Sequence, residues 1–387
     1  MDLRELPRVV WVLSAARFVS SVSSFAMLFL TLYLTGPRDV STPSAGLLAG
    51  TVGVGALAGN FTGGRWGDRF GHRRVLLTAS SAGGLILVSV PLLPTWSLAV
   101  ALPVLSYLLA TGSVSSGALS ALAMPRGERR TAVAVSRAAS NAGFVVGPPL
   151  GALLVAWSYD AMFVVEGVAV VLVRLALSRV LPRDAPDVRP GSSGHGLLRA
   201  VRADRALLVL LVGVVLVDLV YRQLYSTLPL YLRDEGEPVW LYATVIAVGS
   251  GLILVLEIPV TQWLRGRGAF GVVAAGYALV GVGTALFALP VSVASVVVAM
   301  AVLTAGEILY KTTATAHVLD QAPDHLVGQF QGLYTGAATS GTLLAAPVGT
   351  AIYSAAPGLL WPVMAAVALV AAGCVLLSAR AVADLPG

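Results

Sequence analysis

The sequence predicts an all-α integral membrane protein with twelve transmembrane helices in two six-helix bundles. Three observations carry this expectation. Hydrophobic residues fill 57% of the 387 positions and charged residues only 11%, about half the charge of a typical soluble domain. Apolar runs of roughly 20 residues, the length that crosses a bilayer as a helix, recur from end to end. A single offset of 198 residues brings features of one half onto the other without gaps.

The first six spans are read at 9–34, 45–63, 75–93, 97–122, 131–156 and 160–180, and the second six at 206–232, 239–263, 269–289, 291–316, 329–353 and 358–380. The first has no short apolar core ending in a small-residue cleavage site and is expected to be retained. Loops after the second, fourth, sixth and eighth spans carry arginines: Arg65 to Arg74, Arg126 to Arg130, Arg183 to Arg205, and Arg265 with Arg267. Those after the third, fifth, ninth and eleventh have neither Lys nor Arg. The positive-inside rule then expects both termini in the cytoplasm. One loop on the arginine side departs from the pattern: "DQAPDHLVG", after the tenth span, is acidic.

The long polar stretch 181–205, rich in Pro, Gly and Ser, reads as a cytoplasmic linker between an N-terminal bundle (1–180) and a C-terminal bundle (206–387). At the 198-residue offset, "LYL" at 32–34 falls on "LYL" at 230–232, Arg69 on Arg267, Pro125 on Pro323, Gly143 on Gly341, and "PLG" at 149–151 on "PVG" at 347–349. Six spans is an even number, so the two copies run in the same orientation. Such a parallel repeat predicts rocking of one half against the other around a midplane site.

Two motifs stand out. "GGRWGDRFGHRR", 63–74, holds five charged residues between the second and third spans. "NAGFVVGPPLG", 141–151, lies in the fifth. Together with the span count they resemble the major facilitator superfamily, most of all its twelve-helix bacterial drug-exporter branch. The likeness covers essentially the whole chain. Gly64, Asp68, Arg69, Gly71 and Arg73 match the family signature of the first loop, with His72 where a base is usual. Asn141, Gly143, Gly147, Pro148 and Gly151 match the Gly-Pro motif of the family's antiporters. Gly306 and Glu307 in the tenth span are a third likeness, whereas the fourth span lacks the arginine that many relatives use for proton coupling.

The resemblance implies a secondary transporter that works by alternating access, with spans one, four, seven and ten lining its cavity. It also implies a cytoplasmic gate in which Asp68 faces the start of the eleventh span near Gln329. A carboxylate facing a helix N-terminus is worth up to about 2 kcal/mol when partly buried. The arginines are expected to mark topology, and Asp68, which topology does not require, to act as a latch. Gly143, Gly147 and Gly151 recur every four residues and allow close approach by a neighbouring helix. Pro148 and Pro149 remove backbone donors and should kink the fifth.

Charges inside spans cost about 2.5–3.5 kcal/mol at the membrane centre, so they should be paired or face water. Arg17 lies in the first span with no partner on its own helix. Asp218 and Arg222 in the seventh, and Glu307 and Lys311 in the tenth, are spaced as i, i+4 pairs. Either carboxylate is a candidate proton carrier, because burial and a nearby cation pull a carboxyl's proton affinity in opposite directions. A pair of fixed, non-cycling ion pairs is the alternative. Glu166, Arg174 and Glu257 are further intramembrane charges.

Other chemistries find no support in the residues. Lys311 is the only lysine, and "GEILYKT" lacks the glycine that precedes it in a Walker A loop, so no ATP-binding loop exists in the chain. "GVGALAG", 53–59, has the wrong spacing for a dinucleotide loop. The one cysteine and four scattered histidines offer no metal-ligand spacing and speak against a membrane enzyme. The expectation is a non-enzymatic monomer without cofactor, metal or nucleic-acid partner, embedded in lipid and moving a small molecule together with protons. Uptake of a small nutrient and a non-transporting membrane sensor are the rival readings.

Overall fold

The computed structural model describes residues 3–24, 26–182 and 204–383. Most of the polar stretch 181–205 therefore lies outside the described residues. The helices are α1 (Arg8–Val22), α2 (Ala26–Thr35), α3 (Thr42–Phe70), α4 (His72–Ser89), α5 (Leu98–Leu122), α6 (Arg129–Trp157) and α7 (Tyr159–Val180). They continue with α8 (Arg205–Tyr221), α9 (Gln223–Ser226), α10 (Leu228–Asp234), α11 (Val239–Trp263), α12 (Ala269–Leu286), α13 (Val293–Gln321), α14 (Val327–Ala355) and α15 (Leu360–Ala383). Two of their starts are capped by side chains. Ser158 caps α7 by accepting from the Ala161 N–H at 3.3 Å, and Asp204 caps α8 by accepting from the Leu207 N–H at 2.9 Å.

Among the described residues, eleven helical stretches are long and apolar enough to cross a membrane. The expected eleventh span, α14, is not one of them, although it has 29 residues and at 1.5 Å per residue reaches about 44 Å. Its sequence is threaded with Gly, Thr, Ser and Gln, which lowers its hydropathy without shortening it. These residues serve packing. Lipid tails are as apolar as leucine, so membrane helices associate through close van der Waals approach at small residues.

Contacts divide the chain into two compact units, residues 1–193 with 321–336 and residues 194–320 with 337–387. This departs from a purely sequential division in one respect: the first turns of α14 pack with the first unit. The reason is glycine. A Cβ on Gly64 would overlap the Gly328 carbonyl oxygen, and one on Gly332 would overlap that of Asn60, so backbone lies directly on backbone. In the same unit α3 and α4 pack along α5, α4 along α7, and α1 along α6. Leu30, Tyr33, Leu34, Leu87, Leu102, Leu105 and Phe163 form a buried cluster. In the second unit α15 packs on α12 and α8, and Tyr277 meets Tyr310 edge-on at 5.2 Å. Outward faces stay apolar: Leu153 is 69% and Val255 67% exposed, as expected where hydrocarbon is the solvent.

The first span of each repeat is broken. α1 stops at Val22 and α2 starts at Ala26, while α8, α9 and α10 are separated at Arg222 and Thr227. A break inside a bilayer frees backbone groups that must be satisfied by protein. The Glu166 Oε2 accepts from the Ala26 N–H at 2.7 Å, serving the N-terminus of α2. At the second break Gln223 does the same work from within. Its Nε2 donates to the carbonyls of Leu219 (3.1 Å) and Ala345 (2.9 Å), and its Oε1 accepts from the Thr227 hydroxyl at 2.8 Å.

Candidate functional site

The loop motif is built around the turn between α3 and α4. Gly71 sits there at φ +92°, a conformation strained for any residue with a Cβ. This turn sets His72 one helical turn from Asp68, with its Nε2 3.1 Å from the Asp68 Oδ1. The carboxylate, 4% exposed, also accepts from two backbone N–H groups in the first turn of α14, Gly328 at 2.8 Å and Gln329 at 2.9 Å. First-turn N–H groups have no partner within their own helix, so Asp68 acts as their cap from another segment. Gly64 makes this possible by letting α3 lie against Gly328.

None of the motif's arginines pairs with Asp68 among the ion pairs of the described residues; its one ion-pair partner is His72. Arg69 lies over the Phe70 ring at 5.3 Å. Arg73 donates to the carbonyls of Ser178 (2.5 Å) and Leu181 (3.2 Å), holding the C-terminus of α7. Carbonyls at a helix end attract a guanidinium as a carboxylate would. The acidic loop after the tenth span gains a partner in the same unit: Arg126 donates to the Asp324 Oδ1 at 3.0 Å and the Ala322 carbonyl at 3.1 Å.

In α6 the small residues face α1 at its break. A Cβ on Gly143 would stand 2.7 Å from the Phe18 carbonyl oxygen, and one on Gly147 would stand 2.8 Å from that of Val22. Gly151 is buried on the same face. The helix runs unbroken through Pro148 and Pro149. Asn141 donates to the Arg137 carbonyl one turn back at 2.9 Å. The repeat copies this contact in the second unit, where Gly341 of α14 lies against Val215 of α8 so closely that a Cβ would overlap its carbonyl oxygen.

The intramembrane charges of the second unit converge on Lys311. Its Nζ lies 3.1 Å from the Glu307 Oε1 on the same helix and 3.5 Å from the Asp218 Oδ1 on α8. The ammonium also sits 4.1 Å from the Tyr221 ring centroid, and the Tyr310 hydroxyl donates to the Asp218 Oδ1 at 3.3 Å. Asp218 is 1% and Glu307 4% exposed. The expected Asp218–Arg222 pair does not form. Arg222 ends α8 where the chain leaves the helix and lies over Tyr225 at 5.4 Å, while Asp218 turns to α13. Glu257 of α11, fully buried, accepts from the Thr312 hydroxyl. Arg17, in the first unit, donates to the Ser113 hydroxyl of α5 at 2.8 Å.

Sequence reading missed Tyr310, Gln223 and Thr312 as partners. The signal available for Gln223 was an amide inside an apolar run; Tyr310 and Thr312 had none, because their roles depend on which helices pack together. Among the described residues no group of three or more His, Cys, Asp or Glu could hold a metal.

Broken helices repeated in two halves, buried charges inside spans and apolar outer faces define a multi-span membrane transporter rather than an enzyme. The chain matches the Major Facilitator Superfamily over residues 13–346 and belongs to it. It is 26% identical over 326 residues to the uncharacterized MFS-type transporter YqjV of Bacillus subtilis (strain 168), covering 81% of this chain and 79% of that one. Over 345 residues it is 24% identical to a Na(+), Li(+), K(+)/H(+) antiporter of Planococcus maritimus, covering 80% and 81%. Among solved structures it resembles the MFS transporter FucP in its outward conformation, with a TM-score of 0.77 at 15% identity over 96% of this chain and 97% of that one.

Proposed function

We propose that this superfamily member is a proton-coupled exporter of small amphiphilic or drug-like molecules, acting as a monomer in a bacterial cell membrane with both termini cytoplasmic. The observation that carries the reading is the charge count around Lys311: two buried carboxylates share one ammonium. With both ionised, the carboxylates outnumber their shared ammonium by one negative charge in a low-dielectric site, which is costly. A proton on either carboxylate removes it. Loss of that proton, or withdrawal of Asp218 from Lys311, then changes the energy of the site by several kcal/mol, enough to bias one conformation over another. Asp68 serves as the latch: its bonds to Gly328 and Gln329 hold when the cytoplasmic side is shut and part when it opens.

A second reading is favoured by the Planococcus relative, whose name makes metal cations the exchanged species. One preparation tests both. Protein is reconstituted with a pH-sensitive dye inside liposomes, and a panel of lipophilic compounds or of Na⁺, K⁺ and Li⁺ is added outside. Proton movement on compound addition, with raised tolerance of an efflux-deficient host, supports drug export. Movement with cations alone supports cation exchange, and silence in every arm rejects both.

A further inference from the structure

The first unit contains a cavity of about 220 Å³ among α1, α4, α5, α6 and α7, lined by Arg17, Arg174, Ser20, Ser21, Ser113 and Ser140 among others. Two of its charged side chains are cationic and one is anionic. Arg17 and Arg174 both reach it and lie close enough to repel each other. The carboxylate in its wall, Glu166, is committed to the N-terminus of α2 through the Ala26 N–H. The guanidinium bonds instead go to hydroxyls, from Arg17 to Ser113 at 2.8 Å and from Arg174 to Ser20 at 3.5 Å. The Arg174 Nε is buried with no hydrogen-bond partner. Two guanidinium groups ringed by serine hydroxyls supply many donors and positive charge, against one carboxylate, Glu166, in the wall.

The repeat sharpens the point. At the 198-residue offset Ser20 corresponds to Asp218 and Ser113 to Lys311. The cavity therefore occupies the position that the Asp218–Lys311 pair occupies in the other copy, with its charge reversed. In the second unit the span-seven acid is met by a span-ten cation. In the first, a span-one cation is met only by a span-four hydroxyl.

We infer that this cavity binds the carboxylate of a small organic anion, held between Arg17 and Arg174 with serine hydroxyls completing its hydrogen bonds. The inference rests on the transport reading and deepens it by assigning the charge of the cargo. A carboxylate held between the two arginines would offset the repulsion between their guanidinium groups.

The test is equilibrium binding by the full chain in phosphatidylcholine nanodiscs, with benzoate as probe and benzamide and benzylamine as neutral and cationic counterparts of like size. Benzoate should bind saturably and the other two should not. Arg17→Gln and Arg174→Gln should each weaken it roughly ten-fold or more, the worth of a charge-assisted hydrogen bond. Because Arg174→Gln removes a buried charge that Arg17 repels, its ligand-free Tm should equal or exceed that of the unaltered chain. A structural arginine would lower it. Phosphatidylglycerol nanodiscs should leave the benzoate affinity unchanged. Failure of benzoate to bind, equal affinity for benzamide, unaltered affinity in both glutamine variants, or displacement of benzoate by phosphatidylglycerol overturns the inference. Binding needs no gradient, so a chain that binds benzoate yet moves no solute contradicts the transport reading alone.

Discussion

Replacing Asp68 by Asn tests the latch with the smallest change of shape. The aspartate accepts two N–H bonds from Gly328 and Gln329, one on each oxygen. An asparagine has one acceptor oxygen and an NH₂ group, so one first-turn N–H of α14 faces a donor. Losing one bond to a charged acceptor costs about 1.5–3 kcal/mol, and losing the charge at the helix N-terminus adds roughly 0.3–1 kcal/mol. The total of about 2–4 kcal/mol corresponds to a 30-fold to several-hundred-fold weaker contact. Hydrogen exchange read on a peptide covering 327–332 should report this directly, with Gly328 and Gln329 exchanging at least 30-fold faster. Transport should fall in parallel, while the spans insert and fold as before. If Asp68→Asn exchanges and transports like the unaltered chain, the motif is a topology signal and the latch is wrong.

Other perturbations probe the remaining assignments. Asp218→Asn and Glu307→Gln should each reduce flux driven by a pH gradient by at least ten-fold while leaving gradient-free exchange of substrate; full pH-driven flux in both would refute the charge-count argument. Gly64→Ala puts a methyl into the Gly328 carbonyl and should cost about 1–3 kcal/mol in overpacking. Gly50→Ala, in open space, should raise stability by up to about 1 kcal/mol through helix propensity, and a Tm comparison separates the two. Arg126→Ala breaks an exposed contact to Asp324, 54% and 77% exposed at its two ends. It should change stability by less than about 1 kcal/mol.

Much of the architecture was legible because a bilayer enforces it. Apolar length located the spans, and the offset of 198 residues predicted that equivalent glycines would serve equivalent contacts. Gly143 and Gly341 do so, one against α1 and the other against α8. The ion-pair pattern was less legible. A single sequence exposes i, i+4 neighbours, so Glu307–Lys311 could be read and Asp218–Lys311 could not. Asp218–Arg222 satisfied the same spacing rule yet failed, because α8 ends at Tyr221 and Arg222 lies where the chain turns. The α14 helix escaped the hydropathy criterion for a related reason: its residues were chosen for contact with protein backbone rather than with lipid.

The two helix breaks differ in when they can be completed during synthesis. Gln223 finds the Leu219 carbonyl and the Thr227 hydroxyl four residues away on either side, so the second break is largely satisfied as soon as it leaves the ribosome. The Ala26 N–H waits for Glu166, 140 residues later. At about 5–20 residues per second that is roughly 7–28 s. Throughout this interval the nascent first span carries an uncapped break, and it cannot rest against hydrocarbon at low cost. The insertion machinery, or water at the membrane surface, must shelter the Ala26 N–H until the sixth span arrives. Glu166 is in this sense a late-arriving clasp, and its loss should show first as poor membrane insertion.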